Sequence, residues 1–156
     1  MLKFIFAVVC LMLLLVLQAP EAMADWKEDQ AKADEYYEAG DYYKAFKMYY
    51  KLAKRGVSHS QDMVSQMYES GQGKKVSLVD AYAWSVLAAQ RGAAEKIDRR
   101  DALLEKNPDK KAAEKKANKL ISKYGRDALL AKAESKARLK HNTKSGGCTG
   151  SKLGCR

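Results

Sequence analysis

Cysteine, proline and histidine are scarce in this chain of 156 residues, and each scarcity narrows what the chain can be. The cysteines are Cys10, Cys148 and Cys155, so residues 25–147 hold none. The two prolines, Pro20 and Pro108, leave long stretches uninterrupted for helix. No stretch beyond Ala24 alternates apolar and polar residues for long, so the signature of half-buried strands is missing. The two histidines, His59 and His141, have no Asp, Cys or Ser companion at a suggestive spacing. Gly71-x-Gly73-Lys74 lacks the spacing of a phosphate-binding loop and follows no strand. Carboxylates are plentiful but scattered among lysines. The sequence therefore presents no catalytic constellation and no set of residues for a metal or cofactor, and it reads as a non-enzyme.

What is present begins with an export signal. Lys3 supplies a positive charge, residues 4–17 form an unbroken apolar run of 14, and Ala22-Met23-Ala24 offers the small residues that signal peptidase reads. As a helix the run would span about 21 Å, short of the roughly 30 Å bilayer core. Ala7-Val8-Val9 before Cys10 lacks the small residue expected ahead of a lipidated cysteine. Cleavage is expected after Ala24, making residues 1–24 a signal peptide and the mature chain periplasmic or secreted. In that oxidising setting Cys148 and Cys155 are expected to close a small disulfide ring in the tail.

Charge divides the remainder. Residues 25–93 carry ten Lys/Arg against ten Asp/Glu, whereas residues 94–156 carry eighteen against eight. A neutral half and a basic half imply different roles.

Apolar residues recur at intervals of three and four. Ala33, Tyr36 and Tyr37 mark a first helix; Ala45, Met48, Tyr49, Leu52 and Ala53 a second; Met63, Val64, Met67 and Tyr68 a third; Ala81, Trp84, Leu87 and Ala88 a fourth. Gly40, Gly56, Gly71 and Gly92 fall just beyond these stripes, where a glycine ends a helix in left-handed conformation. Two helical hairpins are predicted. A fifth helix is expected over 94–106 with Ile97, Leu103 and Leu104 as its apolar contacts. A sixth is expected over 109–124, opened by Asn107-Pro108 as N-cap and first-position proline, and a seventh from 127 to about 140. The Ser/Gly/Thr/Lys-rich residues 142–156 read as a flexible tail.

The hairpins repeat. Ala45-Phe46, Ala53 and Arg55-Gly56 return 36 residues later as Ala81-Tyr82, Ala89 and Arg91-Gly92. Tyr37-Glu38-x-Gly40 returns as Tyr68-Glu69-x-Gly71 after 31, the difference being a five-residue insertion, Gly73-Lys74-Lys75-Val76-Ser77, in the second copy's turn. Tyr68-x-x-Gly71-x-Gly73 followed by Asp80-Ala81-x-x-Trp84-x-x-x-Ala88-Ala89-x-x-Gly92 resembles a Sel1-like repeat, and the first copy, Gly40 to Ala45 with Tyr49, resembles the related tetratricopeptide repeat. The resemblance covers roughly residues 31–105. Asp34 and Ser65 stand where that family usually has glycine at the helix crossing, and Ser85 replaces an aromatic. Ser65 is small enough to keep the packing close, whereas Asp34 points to an open, solvated end on the first helix. The resemblance implies an all-α, α-α superhelix over 25–106 and an adaptor role; the charge and apolar spacing of the later residues add a basic helical extension over 107–141. A cysteine-rich branch of the family linked to penicillin binding carries a cysteine pair in each repeat, which is lacking here.

Two surfaces are candidates for partners. Tyr36, Tyr37, Tyr42, Tyr43, Tyr49 and Tyr50 crowd into fifteen residues; by helical phase Tyr37 and Tyr49 are core, leaving Tyr36, Tyr43 and Tyr50 to anchor a protein partner in the cell envelope. Lys110, Lys111, Lys115, Lys116, Lys119 and Lys123 lie off the apolar stripe of the sixth helix and offer a polyanion or lipid-surface alternative. Nucleic acid is not expected for an exported chain with no interleaved aromatic platform there.

Overall fold

The computed structural model describes residues 25–145, with side chains to residue 140. The expected signal peptide with its cleavage point, Cys10 and the Cys148–Cys155 pair lie outside the described residues. Within them every regular element is helical: α1 (Asp25–Glu38), α2 (Tyr42–Ala53), α3 (Ser58–Ser70), α4 (Leu78–Ala89), α5 (Ala94–Glu105), α6 (Lys110–Tyr124) and α7 (Arg126–Ser145). None of these helices is long and apolar enough to cross a membrane.

Local chemistry sets the boundaries. Gly40, Gly56, Gly71 and Gly92 all have φ between 76° and 87°, the left-handed values expected of them. At the other ends, the side chains of Asp41 and Ser77 accept hydrogen bonds from the amides of Lys44 and Asp80, each at 3.2 Å, and so satisfy free donors of the first turn. The sixth helix departs from expectation here. Its N-cap is Asp109, whose carboxylate accepts from the Ala112 amide at 2.8 Å, while Asn107 is buried in the preceding turn. A charged acceptor two residues further on captures the helix start better than Asn107 can, and Pro108 is left outside the helix.

Packing follows the small-and-large pattern of the sequence. α1 pairs with α2 and α3 with α4 as hairpins, and α2 also lies against α3. Ala33, Ala45, Ala53, Ala81 and Ala88 are fully buried, letting backbones approach, and Tyr49, Trp84, Leu87 and Met67 fill the space between them. Ser65 behaves as its size predicts, hidden and donating to the Ala81 carbonyl at 2.8 Å. α4 is the hub, flanked by α3, α5 and α6. Ten of its twelve residues are apolar, an all-round hydrophobic helix that must be covered on several sides. α6 supplies one cover through Ala113, Ala117 and Leu120, and it touches α5 only lightly. α5 and α6 thus flank α4 instead of closing a third hairpin.

Two expectations about the ends are corrected. Asp34 does not leave α1 open: its carboxylate takes a short hydrogen bond from the Tyr49 hydroxyl and lies 3.6 Å from His59 Nε2. A buried phenol needs an acceptor, and glycine could not provide one. The last helix continues to Ser145, past the expected start of the flexible tail at residue 142. Residues 131–140 are all exposed.

Candidate ligand groove

One face of α2 carries Tyr43, Phe46, Lys47, Tyr50, Lys51 and Lys54, residues spaced at three, four, seven, eight and eleven along the helix. With Tyr68 of α3 and Lys74 of the inserted turn they line an open groove of about 540 Å³. Four aromatic rings and four lysines face it, and no carboxylate does.

The floor is held by ring against ring. Phe46 stacks on Tyr50 at 5.6 Å and meets the edge of Tyr68 at 5.2 Å, while Tyr50 rests edge-on against buried Trp84 at 5.4 Å. Such contacts add about 0.5–1.5 kcal/mol per pair beyond area burial and fix the rings before a ligand arrives. Burial, followed by the nearby charge of Asp80, pushes the Tyr68 phenol up to about 12. The Tyr50 phenol is raised as well, again first by burial. Both rings stay neutral donors at any physiological pH.

The rim is positioned by the same rings. The Lys54 ammonium lies 4.9 Å from the Tyr50 centroid and the Lys74 ammonium 5.4 Å from that of Phe46. Lys51 reaches away to Asp29 at 3.0 Å. Lys74 owes its place to Gly73, whose φ of 71° and missing side chain let the turn press onto the Tyr42 carbonyl. A Cβ at Gly73 would collide with that oxygen and come within 3.1 Å of Phe46. The Ser77 amide bonds the Tyr68 carbonyl at 2.9 Å and pins the far end of the turn. The five-residue insertion that breaks the repeat spacing is therefore one wall of the groove.

The residues singled out from sequence are distributed unevenly around this site. Tyr43 is 66% exposed at the groove's edge and Tyr50 forms its floor. Tyr36 is not part of it; it is half-buried on α1 beneath the Lys44 ammonium. Tyr50 also differs from its expected free state, because Phe46 and Trp84 cover most of it. Phe46, Lys47, Lys51 and Lys54 share the helical spacing of Tyr43 and Tyr50, a signal present in the sequence, whereas Tyr68 and Lys74 come from α3 and the inserted turn and join the groove only through the fold.

On α6 the six lysines do not form one free stripe. Lys110 pairs with Glu105 and Lys116 with Asp80, both at 2.9 Å, and Lys123 lies over the Tyr124 ring at 5.7 Å. Lys111, Lys115 and Lys119 remain exposed on one face. His59 does have a carboxylate neighbour in space, Asp34, and its ring meets Tyr49 edge-on at 6.2 Å. Sequence spacing could not show this pair, which joins α1 to α3 across 25 residues. The neighbouring Ser58 hydroxyl is turned away, donating to the Ala88 carbonyl at 3.1 Å. Among the described residues no group of His, Cys, Asp and Glu is arranged to hold a metal.

No protein-family model, curated protein or solved structure matches this chain.

Proposed function

We propose that this chain is an exported interaction scaffold whose hairpins form a short Sel1-like α-α superhelix, and that the α2 groove holds an acidic, aromatic-bearing segment of an envelope or secreted partner protein. The observation that carries the reading is the groove's lining: four rings, of which Phe46, Tyr50 and Tyr68 are held by mutual contact, four lysines and no acid. The three packed rings give area and shape selectivity at low entropic cost, because their contacts already position them. Lysines give long-range attraction for carboxylates and discriminate against basic segments. Export is supported by the charged start, apolar run and Ala-x-Ala of residues 1–24, and would appear as a mature chain beginning at Asp25. The alternative, polyanion or lipid-surface binding through α6, has less support, since three of its six lysines are engaged within the fold.

The test uses three fluorescein-labelled ten-residue peptides: alternating glutamate and phenylalanine, alternating lysine and phenylalanine, and alternating glutamate and serine. The first is expected to bind measurably by anisotropy and the other two at least about tenfold more weakly, the worth of one or two partly exposed charge pairs or one buried ring. Combined Lys47→Ala, Lys54→Ala and Lys74→Ala substitutions should remove the preference for the acidic peptide. Equal affinity for all three peptides, or undiminished affinity in the triple variant, would sink the reading.

A further inference from the structure

A second concavity lies where α7 meets the ends of the two hairpins, and it shares no lining residue with the groove. Its volume is about 200 Å³, below the roughly 300 Å³ at which enclosed sites for drug-sized molecules begin. Arg55, Arg91 and Arg126 stand around it, and Tyr124, Leu129 and Leu130 give it an apolar side. No carboxylate lines it.

The arginines come together through the repeat. Arg55 and Arg91 close equivalent hairpins 36 residues apart, and Arg126 follows 35 residues later at the first position of α7. Two contacts fix α7 over them. The Leu129 side chain seats on Gly56, where an added Cβ would lie 2.8 Å from its methyl, and the Gln90 side-chain carbonyl accepts from the Arg126 amide at 3.0 Å.

Internal pairing accounts for one of these charges and not for the other two. Arg55 is paired with Asp25 at 3.6 Å and with Asp29 at 3.8 Å. Arg91 and Arg126 make no ion pair among the described residues. Helix electrostatics explains two of the three positions, because Arg55 and Arg91 follow the C-termini of α2 and α4, where a cation is favoured. It works against the third. Arg126 sits at a helix N-terminus, the positive end, with Asp127 as the one adjacent offset.

We infer that this cleft binds the phosphate of a single-chain amphiphile, with the guanidiniums of Arg91 and Arg126 on the head group and the chain running along Leu129 and Leu130. Guanidinium forks suit phosphate oxygens, and the small volume admits a head group and its first methylenes but not a folded polypeptide. Leu130, 53% exposed, continues the apolar path out of the cleft. The inference rests on no part of the groove reading, and either site can fail alone.

The experiment titrates the full mature chain with octyl phosphate, inorganic phosphate and octanol, following the methyl resonances of Leu129 and Leu130. Octyl phosphate is expected to give saturable shifts at concentrations about tenfold or more below those needed for either fragment probe. Arg91→Gln and Arg126→Gln should each weaken it by about tenfold, the scale of one charge-assisted hydrogen bond, with the melting temperature of these surface variants unchanged. Leu130→Ala should weaken octyl phosphate and leave inorganic phosphate unaffected. The inference is overturned if octyl phosphate causes no saturable shift, if inorganic phosphate or octanol binds as tightly, or if both arginine variants keep full affinity.

Discussion

The ring of Tyr124 lies almost parallel to the indole of Trp84, at 15° and with centroids 6.0 Å apart, so the last turn of α6 is stacked on the side chain at the centre of the second hairpin. Tyr50 meets the same indole edge-on at 5.4 Å. One buried side chain therefore joins α2, α4 and α6. Trp84→Ala should cost about 3–5 kcal/mol, and Tyr124→Leu about 1 kcal/mol for the lost ring pair. Urea unfolding of the two variants checks the ranking.

The role of α6 makes the basic half divisible at a definite point. A chain ending at Lys106 loses the cover over α4 and should melt far below the full chain or fail to fold. A chain ending at Ala131 keeps α6 and the Leu129 contact with Gly56 and gives up residues 132–140, all of them exposed, so it should stay folded and melt far above the Lys106 truncation. Circular-dichroism melts of both truncations distinguish a structural α6 from a separable binding extension.

Glycines of similar φ should respond differently to a methyl group. Gly40, φ 76°, has nothing within 4 Å of a built Cβ, so Gly40→Ala should cost about 1–2 kcal/mol of conformational strain alone. Gly73→Ala adds a collision with the Tyr42 carbonyl and should cost more. It should also weaken the acidic peptide, because Lys74 moves with the turn. Denaturant midpoints and peptide anisotropy on the same two variants test both statements.

Stability should fall on the alkaline side through the buried phenols. The Tyr68 pKa is raised in the folded chain from 10.0 to about 12, so the folded state holds its proton more tightly than the unfolded state. That contribution is complete below about pH 10 and is lost as pH rises from there through 12. Burial likewise raises Tyr49 and Tyr82. Tyr68→Phe should therefore lose stability less steeply than the wild type between pH 10 and 12, measured by urea midpoint.

The acid side is governed in part by Glu69. Burial alone would raise its pKa, but the hydrogen bond from Lys106 at 3.2 Å and the Arg99 guanidinium at 2.8 Å hold it below the ordinary 4.5. A lowered carboxylate stabilises the fold above its ordinary pKa, and that contribution disappears as pH falls through the lowered value. Glu69→Gln should flatten the drop in melting temperature between pH 5 and pH 3.

Much of this architecture can be read from residue order alone. The glycines at 40, 56, 71 and 92 and the apolar spacing between them specify where α1 to α4 run, since helix stripes and left-handed C-termini are local properties of the chain. The alanine and Trp84 positions likewise announce close helix contacts. What only the folded arrangement decided was partnership. Asp34 looked like a solvated departure until Tyr49 and His59 arrived from two other helices. Phe46 and Lys74 belong to one groove because Gly73 lets a turn rest on the Tyr42 carbonyl, and α6 covers α4 because Tyr124 finds Trp84. Contacts of this kind join residues 15 to 40 positions apart, and their formation depends on helix crossing and side-chain fit, to which helical periodicity is blind.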